Sequence, residues 1–446
     1  MREKSITVSV NSYQIKKAGL KKGLTDLEVF AVRSKSLKLT VYQNKLDQHV
    51  QSDVEVVKIR GIYNNKLSTI RFENLSETNV DALLDQMIAN AQALTVVEPA
   101  IIYEGSKKYP EVKDELFDFS SVSVTEKIDL LKNLEQKILA NESVSQVQTS
   151  MYMEVDSQTT LVNSKGLNLS KHNTYAYTYA IGVFKKDEDI KTAYDIKLAK
   201  NFNEFSAEDM AKKTIDKGVA QLGGQSIKSG SYPLVFSNEM FGDILEAFSS
   251  IFSGEAAFRN MTSLKDKVGK QIAGLDINLI DDPLHPDVPF KTGFDDEGVA
   301  CSKRYVVENG VFKGFNHNLK TASIFKEEPT GNGFNGGIST TNFYLDPKDQ
   351  DFDTLIKDIK DGVYITDMVG LHAGIQPISG EFSVQASGFK IIDGKINHPV
   401  KMIVISGNFF NVLNHVKGIG SDLKFGLSGV GSPSVYVESI MIGGEA

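Results

Sequence analysis

The chain has 446 residues, 41% hydrophobic and 24% charged, with a formal net charge of −8. That length suggests two domains or three, the balance is ordinary for a globular protein, and an acidic total without a long basic run argues against direct nucleic-acid binding. No apolar run approaches the roughly 20 residues that cross a bilayer, MREKSITVSVNSYQIKKAG lacks the apolar core of a signal peptide, and a single cysteine, Cys301, excludes an internal disulfide; the expected setting is the cytoplasm, with no membrane partner.

Taken in order, the N-terminal part alternates helices and strands. Ser12 to Lys22 reads as a short basic helix stopped by Gly23. Leu27 to Val32, Ser36 to Tyr42 and Gln48 to Ser52 read as strands, with a turn at Gln43-Asn44-Lys45. Val54 to Ile62 and Leu67 to Phe72 form a hairpin about Asn64-Asn65, residues that tolerate a left-handed backbone. Ser76 to Leu94 has an apolar helical stripe. Tyr103 to Phe119 reads as a connection. Ser123 and Glu126 form a capping box for a helix to about Ala140. From Val144 to Leu198 the period drops to two, which predicts four or five antiparallel strands turning at Gly166 and Lys186-Asp187. Tyr175, Tyr177 and Tyr179 share a strand face and read as a structural ladder. Ser206 to Leu222 is a helix, and the polar, glycine-rich stretch Gln225 to Gly230 marks a boundary between domains at 1–225 and 226–446.

The second half opens on a strand, Tyr232 to Phe236, and then on the most apolar helix of the chain. Met240, Phe241, Ile244, Leu245, Phe248, Ile251 and Phe252 recur at spacings of three and four, with Ser237 or Asn238 as cap and Gly254 as stop. Asp243, Glu246, Ser250 and Ser253 fall on its other face. On the residues alone it is a core helix with a polar rim. Thr262 to Gly269 reads as a short helix. RYVVE and VFKGF flank Asn309-Gly310, a hairpin signal. Asn318 to Lys326 and Phe352 to Lys360 read as helices, PTGNGFNGGIS (329–339) as a flexible loop over a groove, and everything from Val363 onward as strand, with a tip at Asp393-Gly394. The expected class is α+β: an N-terminal α/β domain of antiparallel strands and helices, then a mainly-β domain carrying the central apolar helix.

Several blocks in the second half resemble one family. They are GKQIAGLDINLIDDP (269–283), FDDEGVACSKRYVVENGVFKGF (294–315), TTNFYLDP (340–347), SGEFSVQASGFKIIDGKI (379–396) and GSPSVYV (431–437). Their order is that of the TldD/PmbA family, also known as modulators of DNA gyrase. Catalytic members carry a zinc-peptidase motif, HExxxH, in the helix that matches 245–250 here. Glu246 keeps the glutamate position, but Leu245 and Ser250 stand at the histidine positions, and Ser421 lies in the stretch where a cysteine ligand is expected. A leucine offers no lone pair, and a neutral hydroxyl is a poor zinc ligand beside imidazole or thiolate.

The resemblance is therefore closest to the metal-free PmbA, or TldE, branch. It implies no cofactor in this chain, with zinc expected only in a TldD-like partner subunit, and a heterodimer with that subunit or a homodimer. The implied substrates are unfolded or short peptides. Asn342, His372, Gly374 and Phe382, in the glycine-rich segments that could admit an extended peptide, form a candidate groove. Two other classes remain open: an independent hydrolase with a divergent site, and a protein-binding modulator of gyrase. The seven histidines show no i, i+4 pair, and Cys301 reads as a small buried residue. No nucleophile with a positioned base is visible in the sequence.

Overall fold

The computed structural model describes residues 12–73, 79–95, 98–113 and 116–445. The class is α+β, as the periodicities require. Contacts divide the chain into two units. One comprises residues up to 107, 113–222 and 296–298; the other comprises 108–112, 223–295 and 299 onward.

The first unit is built on a six-stranded antiparallel sheet. Its strands are β1 (Asp26–Tyr42), β2 (Lys45–Tyr63), β3 (Lys66–Glu73), β4 (Val144–Asn163), β5 (Asn168–Lys186) and β6 (Asp189–Ala199), in the spatial order β3-β2-β1-β4-β5-β6. Helices α1 (Ser12–Lys21), α2 (Val80–Ala93), α3 (Val124–Leu139) and α4 (Ala207–Ala220) complete it. One face of β1 is buried at both ends, with half-buried Arg33 and exposed Lys35 between them. Leu27, Val29 and Ala31 cluster with Leu84 and Met87 of α2, and Leu37 and Leu39 cluster with Leu131 of α3.

Several expected elements merge. The two strands expected within 27–42 are one, because β1 is bonded on both sides, by β2 and β4, through Arg33-Ser34-Lys35. Likewise Val144–Ala199 holds three long strands and not four or five. Asn64 and Asn65 turn at positive φ as expected, as do Asn44, Gly166 and Asp187. The Ser123–Glu126 capping box is formed. Helix α2 starts at Val80 behind an Asn79 cap; the expected start at Ser76 lies outside the described residues.

The second unit holds two sheets. In the first, β7 (Gly230–Phe236), β12 (Asp361–Val369), β14 (Glu381–Ile392), β15 (Lys395–Asn408) and β19 (Val435–Gly443) run in the order β12-β7-β19-β15-β14, and β14 bonds back to β12, closing a ring. The second sheet has the order β10-β9-β8-β11-β18-β17. Its strands are β8 (Leu279–Asp281), β9 (Arg304–Glu308), β10 (Val311–Phe312), β11 (Phe343–Leu345), β17 (Lys424–Phe425) and β18 (Val430–Ser432). The expected tip at Asn309-Gly310 joins β9 to β10 at positive φ. The central helix α5 (Asn238–Phe248) follows β7 directly, and one core cluster joins its apolar face to residues of both sheets.

Three expectations change. Gly254 opens the next helix, α6 (Gly254–Phe258), instead of stopping α5. A β-carbon there would come within 2.4 Å of Nδ1 of His317, so packing and not helix termination requires the glycine. Residues 262–269 form turns, since the Thr262 hydroxyl accepts from the Leu264 N–H and competes with helical bonding. The C-terminal stretch is interrupted by short helices at Leu371–Gly374 and Phe409–Asn414. Among the described residues no helix is long and apolar enough to cross a membrane.

Candidate functional site

Ser237 caps α5 by accepting from the Met240 N–H at 3.3 Å. The helix then tightens to a 3₁₀ turn over Ser249–Phe252 before Ser253 caps α6. Met240, Phe241, Ile244, Leu245 and Phe248 are buried. On the opposite side, residues at spacings of three and four stand one above another: Glu246, Ser249, Ser250 and Ser253. They form one wall of a cavity of about 220 Å³. Ser339, Thr340, Ser428 and Asn316 supply the other polar groups, and Ile338 and Val430 the apolar ones.

The Ser428 hydroxyl donates to Oε2 of Glu246 at 2.7 Å. It is carried between β17 and β18 beside Gly429, which has positive φ and lies so close to Asn342 that a β-carbon would sit 2.7 Å from Oδ1. Asn316 is 98% buried by its exposure of 2%. Its Oδ1 accepts from Nη1 of Arg304, and its backbone bonds Phe252 and Gly254 at 2.8 Å each. The amide is thereby oriented with Nδ2 free of any protein partner among the described residues. Behind this wall, buried Asp281 accepts from the Thr341 N–H, the Thr341 hydroxyl and Nδ2 of Asn332. Burial pushes the Asp281 carboxyl up, although these hydrogen bonds pull it down. Asn332 also donates to the Ser339 carbonyl. The 329–339 loop is thus held at Asn332, and its end, Ile338 and Ser339, lines the cavity.

The solvent side of α5 that leads to the cavity is acidic. Asp243, one turn before Glu246, is pushed up to about 6, first by partial burial and then by the like charges of Glu246, Glu239 and Asp367. Glu239 is paired with Lys424, whereas neither Asp243 nor Glu246 has an ion-pair partner among the described residues.

His317, next to Asn316, is buried with Nδ1 3.1 Å from the Thr321 hydroxyl. Burial, aided by Arg304, lowers its pKa to about 4. Between that value and the ordinary 6.5 the unfolded chain binds the extra proton. Stability from the neutral imidazole is therefore complete above 6.5 and is lost as pH falls toward 4. Denaturant melts of wild type and His317→Gln should show the wild-type advantage shrinking by up to about 3 kcal/mol between pH 7 and pH 4. A pH-independent difference would contradict the assignment.

The residues singled out from sequence divide. Glu246 and Ser250 share the cavity; Leu245 points away from it, fully buried in the core. Ser421 is not brought to them. It precedes Asp422, which holds Asn238 at the opposite end of α5, roughly 15 Å away by the helical rise. Nor do the four groove candidates line this cavity. Asn342 is buried, donating to the Phe290 carbonyl, and Phe382 belongs to the core, so neither offers side-chain surface to a peptide. His372 is exposed on its short helix, and Gly374 lies against Ser383, where a β-carbon would meet the carbonyl at 2.4 Å. Missed from sequence were Asn316 and Ser428, which no spacing connects to the helix. Cys301 is buried, its thiol on the Gly331 carbonyl.

The donors at the motif position do not fit zinc. They are one carboxylate, hydroxyls and an amide, and among the described residues no group of three or more His, Cys, Asp or Glu could hold a metal ion.

Two family models match the chain. The PmbA/TldA metallopeptidase C-terminal domain matches residues 229–444, and the central domain of the same family matches 117–222. A metalloprotease of Methanothermobacter thermautotrophicus is 28% identical over 73% of this chain and 75% of its own length. The PmbA metalloprotease homologue of Buchnera aphidicola is 27% identical over 65% of this chain and 68% of its own. Among solved structures, a Thermotoga maritima protein described as a modulator of a DNA gyrase superposes with a TM-score of 0.90 at 31% identity, over 97% of this chain and 99% of that one. TldE of Thermococcus kodakarensis shares the fold, with a TM-score of 0.85 at 24% identity over 97% and 99% of the two chains. Matched through both family domains and along nearly the whole length of a solved relative, this chain belongs to the PmbA/TldD family of metallopeptidases.

Proposed function

We propose that this chain is a PmbA/TldE-like subunit of a cytoplasmic zinc metallopeptidase acting on unfolded or short peptides, and that the zinc resides in a TldD-like partner. The observation that carries this reading is the state of the motif helix. Glu246 still faces a cavity, but the flanking positions hold a leucine turned into the core and a serine. In a zinc hydrolase such a glutamate takes a proton from metal-bound water. With no metal ligands beside it, Glu246 can bind and orient but has no acidified water to deprotonate. A relative named as a TldD homologue and a solved TldE support the existence of both kinds of chain in the family.

The test is reconstitution. A TldD-like chain with intact HExxxH from the same genome, mixed with this one, should give a complex that cleaves an unstructured peptide faster than either chain alone. Elemental analysis of the separated subunits should place about one zinc per complex in the partner. Equal cleavage by the zinc subunit with and without this chain, or stoichiometric zinc in this chain, would overturn the proposal.

A further inference from the structure

We propose that the Glu246 cavity is a recognition site for the free N-terminus of a peptide, with the α-ammonium on Glu246 and the first carbonyl on Nδ2 of Asn316. The inference deepens the peptide-handling reading above and rests on it.

Three features converge. First, the only charged group lining the cavity is a carboxylate without a cation. Its Oε2 takes one hydroxyl hydrogen from Ser428, which leaves acceptor capacity on both oxygens. Second, buried Asn316 is held by the partly buried Arg304 in the orientation that leaves an N–H donor unpartnered at the wall. That donor is not among the enclosed unpaired polar atoms, so it is open to a ligand that enters the cavity. Acceptor and donor thus stand in one small cavity, the pair that an ammonium followed by a carbonyl requires. Third, the size suits an end group. At about 220 Å³ the cavity is below the usual range of ~300–1,000 Å³ for small-molecule sites. The hydroxyls of Ser249, Ser250 and Thr340 complete a lining that accepts further hydrogen bonds from an ammonium and carries no positive charge to repel it. Asp243 adds negative potential from one turn away, fully so above its pKa of about 6.

A lysine ammonium shares the charge but not the adjacent carbonyl, so the two sources can be separated. The probes are a tetrapeptide amide with a free N-terminus, its N-acetyl form, and an N-acetyl form containing lysine, titrated calorimetrically against the full chain at low salt. The free-amine peptide should bind at least about tenfold more tightly than either acetylated peptide, as expected for loss of a charge-assisted hydrogen bond. Glu246→Gln, which keeps the shape, should abolish the difference. Wild type should lose it above about pH 9, where the α-amine, with a pKa of about 8, is neutral. Equal binding of free and acetylated peptides, a difference that survives Glu246→Gln, a preference for the lysine peptide, or no binding by any of the three would overturn the site. The partner-subunit role is judged separately, by cleavage in the reconstituted complex.

Discussion

Phe248→Ala is expected to cost about 3–5 kcal/mol of folding stability, because the ring is fully buried in the main core cluster and a cavity there relaxes only in part. Phe248 is the last residue of α5, and its ring stacks on that of Phe409 with centroids 4.7 Å apart and planes inclined by 15°. Phe409 itself is buried at the start of a short helix after β15, so the stack ties α5 to the C-terminal strands. Truncation removes the dispersion contacts of both rings and leaves an apolar void that water cannot usefully fill. Glu246→Ala, half a turn away but on the cavity side, loses only a serine contact and should melt close to wild type. Urea melts of the two variants give the comparison. A Phe248→Ala protein within 1 kcal/mol of wild type, to about the error of such measurements, would show that the α5 core is looser than its packing implies.

The second large effect lies in the first unit. Arg60 of β2 is buried between two carboxylates, its Nε 2.8 Å from Glu28 and its Nη1 2.9 Å from Glu297. Glu28 is wholly buried, and burial pushes its carboxyl up even against the pull of Arg60. Arg60→Met keeps the volume but removes the counter-charge, leaving buried negative charge uncompensated. We expect a loss of about 3–5 kcal/mol at neutral pH. The sign with pH follows from the direction of the Glu28 shift. A carboxyl whose folded pKa lies above its unfolded value costs nothing once both states are protonated, and costs progressively more as pH rises through the window between them. The variant should therefore regain stability relative to wild type as pH falls toward 4, and Glu28→Gln in the Arg60→Met background should recover part of the loss at pH 7. An equal loss at both pH values would point to packing, not charge.

The resemblance and the local chemistry were legible in the chain because their signals involve neighbours. Ser123 and Glu126 are three residues apart and cap α3 as their spacing predicts. Asn64-Asn65 and Asn309-Gly310 turn with positive φ because those residues tolerate it wherever they stand. The apolar face of α5 followed from periodicity alone, and with it the burial of Leu245 away from Glu246. Strand length was less legible. A strand bonded on both sides, as β1 is, runs through polar residues that look like a break in one dimension.

What only the tertiary structure decided is what meets Glu246. Ser428 lies 182 residues further along the chain, and no spacing rule operates over such a distance. Asn316, far from Glu246 in sequence, lines the same cavity, with Arg304 on the oxygen side of its amide. The same holds for burial of polar loop residues: Asn342, a groove candidate by sequence, is enclosed, with Gly429 packed close against it. Sequence determined which residues could carry charge, cap a helix or turn a strand. Packing determined which of them were left facing an open volume without a partner, since that depends on every chain segment that comes close and not on the residues themselves.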